Sequence, residues 1–371
     1  MNHSIFPRQR MTLAFVAALS PFLRLIPGQI TRISGGSSWL TPLFFLPCLL
    51  LLALFLVKFL QSPTGAGGMI PGVLRVLGKG WGSFLLLLFG GWLLFLSGFA
   101  LRSGADRLIA TIFPNSSPWP FLIVMELLCL LAVMGPAKIL ARSAEIFRPL
   151  LMLTLVLVIA AFLPRIRPEY LLPVRFQDLP HVGQGSLLMT ECLGVGLLIV
   201  SFLEPPNQGC VLDFRRIVRW LLEFSLLTAA VCAVTVGIFG PKLTGVLSYP
   251  FFTMIWDLEL LNMVERIEAI IVGLWLLPDF ILTGLEITVA AQIFLELTGQ
   301  KKRTDRRIYW RGSGKLLWLC VALSTLSAVL ITKDPQEMTL WAGQIIPGVN
   351  LAFCIGLPLL LFIAAKLRKL L

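Results

Sequence analysis

Ten apolar runs, near residues 11–30, 37–60, 81–112, 119–135, 138–163, 184–204, 213–240, 263–297, 314–333 and 338–366, take up most of this 371-residue chain. Each approaches or exceeds the roughly 20 residues that an α-helix needs to cross a bilayer. Hydrocarbon offers no partners to backbone amides, so such runs must satisfy them internally. The expected fold class is therefore an all-α integral membrane protein with about ten transmembrane helices. At 57% hydrophobic and 13% charged, with a mean hydropathy of +0.89, the chain is too apolar to conceal these runs in one soluble core.

A net charge of +12 could suit a nucleic-acid binder, but the basic residues lie in short loops between the runs. They read as topology signals instead. Placing the N-terminus inside puts Arg8, Arg10, Lys58, Arg75, Lys79, Lys138, Arg142, Arg215, Arg216, Arg219 and the run from Lys301 to Arg311 in the cytoplasm. Fewer fall outside, among them Arg32, Arg102, Arg107, Arg165, Arg167 and Arg175. Both termini are expected to be cytoplasmic. The Lys301 to Arg311 run reads as an anchor at anionic headgroups, or more sharply as a docking surface for a partner domain.

The seven cysteines contain no CxxC, and the two histidines form no HExxH, so neither a disulfide framework nor a metal site is expected. Nucleotide-binding and serine-hydrolase motifs are absent as well, and no nucleophile-base-orienter set is recognisable. The chain reads as a non-enzyme without cofactors.

Its organisation reads as one membrane domain over 1–371, divided into five-helix repeats at 11–163 and 184–366. Each half runs through an interrupted span, a span, a short amphipathic piece (Met69 to Leu77, then Tyr249 to Leu261), a very long span, and two more. An odd number of spans per repeat inverts the second relative to the first, as in many secondary transporters. Arg8 and Arg10 before Ala17-Ala18-Leu19-Ser20 have the order of a secretory signal, but removing the first run would destroy the five-plus-five pattern.

Carriers of this kind open spans one and six to make a site. Span one holds Ser20, Pro21, Arg24, Pro27 and Gly28; span six holds Thr190, Glu191, Gly194 and Gly196 before Glu204-Pro205-Pro206. Both are expected to be broken, because proline removes an amide hydrogen bond and glycine tolerates unusual dihedrals. Ordinary kinks and packing sites are the plainer reading. Spans one, three, six and eight are expected to enclose a small-molecule pocket near Ser20, Pro21, Gly98, Thr190, Glu191, Gly194 and Thr283. Counting inward at ~1.5 Å per residue brings Arg24 and Glu191 to one depth, so the two are expected to face each other. Lining or gating the pocket, a structural ion pair, and snorkelling of Arg24 to the interface remain open.

In span eight Asp279, Thr283 and Glu286 stand at i, i+4 and i+7, on one face. Asp279 and Glu286 are candidates for a proton relay, or for carboxyls that hydrogen-bond neighbouring helices. Glu265, Arg266 and Glu268, and the i, i+3 pair Glu145 and Arg148, read as structural.

The stretch Leu140-Ala-Arg-Ser-Ala-Glu-Ile-Phe-Arg-Pro149 resembles the B subunit of endospore germinant receptors, the germination permeases. So do Phe239-Gly-Pro-Lys-Leu-Thr-Gly-Val-Leu-Ser-Tyr-Pro250, Val264-Glu-Arg-Ile-Glu-Ala269 and Gly273-Leu-Trp-Leu-Leu277. The resemblance extends over the chain in length and span order. It implies the fold of amino acid, polyamine and organocation carriers. It also implies a spore inner-membrane protein that senses a small nutrient, such as an amino acid, beside an A subunit and a lipoprotein C subunit. Where that family often carries a Pro-Phe-Gly-Glu-like break in span six, this chain reads Met189-Thr-Glu-Cys-Leu-Gly-Val-Gly196, without proline. An autonomous proton-coupled amino acid permease is the alternative that the span-eight carboxylates favour.

Overall fold

The computed structural model describes residues 5–65, 67–113, 116–203, 212–256, 267–299, 314–331, 338 and 340–368. The basic run from Lys301 to Arg311, Glu204-Pro205-Pro206, Cys210 and Glu265-Arg266 lie outside the described residues. The described part is helical: α1 (Pro7–Ser34), α2 (Thr41–Phe44), α3 (Leu46–Gln61), α4 (Met69–Leu77), α5 (Lys79–Thr111), α6 (Trp119–Val133) and α7 (Lys138–Phe162). These are followed by α8 (Leu179–Phe202), α9 (Phe214–Val246), α10 (Pro250–Trp256), α11 (Ile267–Leu274), α12 (Leu276–Leu297) and α13 (Gly314–Leu330). A final stretch, α14, covers Trp341–Leu367 and contains two π-helical turns at Trp341–Ile345 and Ala352–Gly356.

Among the described residues, seven helical stretches are long and apolar enough to cross a membrane, and α6 and α13 are apolar but shorter. With this pattern the chain is an integral membrane protein. The first stretch, Pro7–Gln61, has 55 residues and runs through α1, α2 and α3 with a 3₁₀ turn at Gly35–Leu40 between them. The short amphipathic piece expected at Met69 to Leu77 forms α4, stopped at both ends by Gly68 (φ 102°) and Gly78 (φ 83°). Only glycine takes such dihedrals without strain, so the two residues fix its length.

Helix α1 is the hub: it packs against α7, α8, α9 and α12, while α12 lies along α5 and α5 along α13. Accordingly α1 buries residues on every face, as does the second half of α8 from Leu188 to Phe202. The periphery includes α6 and α7, whose Ile123, Leu127, Leu131, Ile146, Leu153 and Leu157 are exposed, as befits helices solvated by lipid.

The expected breaks in spans one and six are not where the structure is irregular. α1 continues through Pro21 and Pro27, and α8 through Gly194 and Gly196. The enclosing helices hold α1 in register although each proline forgoes an amide bond, and Thr31 donates its hydroxyl to the Pro27 carbonyl at 2.7 Å. In α8 the glycines serve close packing: a Cβ on Gly194 would lie 3.0 Å from Cys354 Sγ. The real interruption is in α9 at Gly240 (φ 74°, ψ 161°), followed by Pro241, where the helix turns against the ring of Tyr170. The last span is irregular as well, with Pro347 between its π-helical turns.

Candidate functional site

Because Ser20 and Arg24 are one turn apart, they point from α1 in the same direction, and both reach Asp279 on α12. Ser20 donates its hydroxyl to Asp279 Oδ1 at 2.5 Å, and Arg24 Nη1 stands 3.5 Å from the same oxygen. The second oxygen, Oδ2, accepts from Arg107 Nη2 of α5 at 2.8 Å. Arg107 also donates to the Trp275 carbonyl at 3.3 Å and lies 4.6 Å from the centre of the Phe252 ring. Arg24 donates to the Ala100 carbonyl at 2.9 Å. One carboxylate thus ties α1, α5 and α12 together, and two guanidiniums share it. The cluster carries one positive charge in excess, and the Nε atoms of Arg24 and Arg107 are buried without an acceptor.

Beside this cluster lies a cavity of about 80 Å³, lined from α1, α5, α8, α12 and α14. Its polar edge is formed by Arg24 and Gln29 of α1, Glu191 of α8, Glu286 of α12 and Asn350 of α14; Pro21, Phe99, Val195 and Leu285 are among its apolar walls. At roughly 10–15 Å³ per water, this space admits about five to eight waters, the bulk of a small metabolite rather than a peptide. Glu191 Oε2 accepts from Asn350 Nδ2 at 2.6 Å, and Asn350 Oδ1 in turn accepts from Trp92 Nε1 at 2.8 Å. Glu286 leaves Oε2 buried without a partner.

Several expectations require correction. Arg24 and Glu191 line the same cavity, yet the arginine pairs with Asp279 and the glutamate with Asn350. Depth placed them together, but side-chain direction on α1 aims Arg24 at α12. Asp279 has both oxygens held by guanidiniums, a pairing that the spacing along span eight did not reveal. Glu286 alone of the two faces the cavity. Gly98 meets α13 instead, where a Cβ would come within 2.7 Å of Ala328 N. Gly194 packs on Cys354, Thr190 donates back to Ser186 at 2.9 Å, and Thr283 is buried with an unpartnered hydroxyl; none of the four lines the cavity. Pro21 and Gly196 do, and at Gly196 a Cβ would enter open space. Arg148 bonds Glu223 of α9 at 2.5 Å rather than Glu145, which accepts from Gln9.

Sequence reasoning missed Arg107, Trp92 and Asn350. Arg107 was assigned to the outer surface by its charge, although it falls inside the run 81–112; it is 1% exposed. Arg10, read as a flanking charge, is fully buried and donates to the Val200 and Leu203 carbonyls at the end of α8.

The molecule is thus a helical membrane bundle around a small cavity whose polar edge comes from α1, α8, α12 and α14. The solved substrate-bound, outward-open structure of a Na⁺-coupled sialic acid symporter matches it with a TM-score of 0.62 at 12% identity, over 97% of this chain and 78% of that one. At that identity the likeness speaks to the fold alone. The family model of the spore germination proteins, the spore permeases, matches residues 5–337, so the chain belongs to that family. No curated protein sequence matches it.

Proposed function

We propose that this protein is the nutrient-sensing membrane subunit of a spore germination receptor, binding a small molecule such as an amino acid inside a carrier-like fold. The observation that carries the reading is the small cavity that Arg24, Glu191 and Glu286 all border among apolar walls. A cation and two carboxyl groups around a volume of a few heavy atoms suit a small zwitterion. The ligand's carboxylate meets the Arg24 guanidinium, and its ammonium meets a glutamate. Occupancy then biases a conformational equilibrium that partner subunits read. By the family, those partners are a receptor A subunit and a lipoprotein C subunit.

In this reading the chain sits in the spore inner membrane with both termini cytoplasmic. Taking Pro7–Gln61 as two crossings and adding α6 and α13 gives ten spans, arranged as inverted repeats over 11–163 and 184–366. Superposing the two halves with and without inversion tests the repeat.

The second reading, an autonomous proton-coupled amino acid permease, draws on Glu286, a cavity carboxyl with one unpartnered oxygen. Uptake of labelled amino acids into vesicles containing the purified protein separates the two. Saturable binding without accumulation supports the sensor, whereas accumulation driven by an inward proton gradient supports the permease. Absence of binding for every amino acid removes both.

A further inference from the structure

At the end of the bundle where α1 and α9 begin, a second cavity of about 260 Å³ opens between α1, α7 and α9. Arg8 of α1, Arg148 of α7 and Arg216 and Arg219 of α9 line it, against a single carboxylate, Glu223. Glu223 is taken by Arg148, and Arg216 is paired with Asp213, the residue that also caps α9. Arg8 and Arg219 are exposed, and no ion pair or hydrogen bond engages either side chain among the described residues. The positive ends of α1 and α9 add to the surplus, since Arg8 and Arg216 both stand in first turns. A neutral donor points to the same ligand. Trp220 is 4% exposed, lines this cavity, and its indole N–H has no acceptor.

We propose that this cavity is a binding site for the phosphate of an anionic glycerophospholipid. Guanidiniums grip phosphate oxygens through paired N–H donors, and the buried indole supplies one more. The lipid origin follows from what borders the cavity. One and two turns beyond Arg219 on α9, Leu222 and Leu226 are 53% and 72% exposed; on α7 Leu153, beyond Arg148, is 59% exposed. These side chains carry the apolar surface of the bundle away from the cavity, where acyl chains lie. The proposal does not depend on which nutrient the central cavity takes.

The test uses the full chain purified in a non-ionic detergent, with lipid binding followed by native mass spectrometry and thermal unfolding. Phosphatidylglycerol is expected to bind at least ten-fold more tightly than phosphatidylcholine. The double variant Arg8→Gln with Arg219→Gln abolishes that preference, while Lys58→Gln with Lys79→Gln, an equal charge change at exposed sites that do not line the cavity, keeps it. Trp220→Phe, which preserves the ring and removes the N–H, weakens phosphatidylglycerol several-fold; it keeps the test decisive if the double variant folds poorly. Equal binding of the two lipids, or a preference that survives both the double variant and Trp220→Phe, overturns the proposal. So does displacement of phosphatidylglycerol by an equal concentration of inorganic phosphate, which would make the cavity a site for soluble anions.

Discussion

Arg107 of α5 and Asp279 of α12 meet at 2.8 Å with both side chains 1% exposed, and this pair joins two long helices far from water. Taking charges out of water is costly, so the pair is a liability unless both members are present. Asp279→Ala leaves Arg107 and Arg24 without their shared carboxylate and is expected to lose about 3–5 kcal/mol of stability. Melting in detergent measures it, together with yield in the membrane. Arg24→Met and Arg107→Met combined with Asp279→Leu, which replaces the whole triad by apolar side chains, should recover much of the loss. A melt unchanged by Asp279→Ala would mean that the cluster carries no structural load.

Glu191, Asn350 and Trp92 form a chain of hydrogen bonds from α8 through α14 to α5. Asn350→Leu strands both the carboxyl and the indole N–H, at about 1–3 kcal/mol for each buried group left unpaired. Glu191→Gln preserves the shape and is expected to weaken the nutrient response with little effect on melting. Equal loss of response and of stability in Glu191→Gln would assign the residue to the scaffold.

Gly196 borders the central cavity with open space where a Cβ would go, whereas Gly194 is pressed against Cys354 at 3.0 Å. Gly196→Val should therefore block ligand entry while expression stays normal, and Gly194→Trp should damage packing. A germination titration beside a membrane-yield measurement distinguishes the pair. A wild-type response from well-expressed Gly196→Val would move the ligand elsewhere.

Gly240 breaks α9 with φ of 74°, and its Cα faces the Tyr170 ring, which a Cβ would approach at 3.4 Å. Gly240→Ala is expected to cost about 1–3 kcal/mol from its backbone conformation alone, since φ 74° with ψ 161° is a region essentially reserved for glycine. Tyr170→Ala in the same background should not relieve that strain, since the backbone sets it. Thermal melting of the two variants and their combination is the check; a wild-type-like Gly240→Ala, or a combination clearly more stable than the sum of the two losses, would contradict it.

The membrane class, the approximate positions of the spans and the α4 piece at Met69 to Leu77 were legible because they depend on local quantities: apolar length, and glycines that end a helix. Span eight was legible too, since i, i+4 and i+7 place Asp279, Thr283 and Glu286 on one buried face whatever surrounds the helix. Pairing was not. Depth along a helix is readable by counting, but the direction of Arg24 depends on how α1 is rotated against α12, and that rotation is set by packing among five helices. For the same reason Pro21 and Gly194 looked like breaks and lie within continuous helices, while Gly240 and the turns around Pro347 are the irregular places. Charge alone could not tell Arg107 from a surface residue. Its contact with Asp279, across 172 positions of sequence, is what supplies the opposite charge to an arginine at 1% exposure. The sequence determined which segments enter the membrane, because that is a sum over each segment's own transfer free energies. The tertiary structure decided which charges neutralise one another and what cavity they border, because those energies exist only between helices brought into contact.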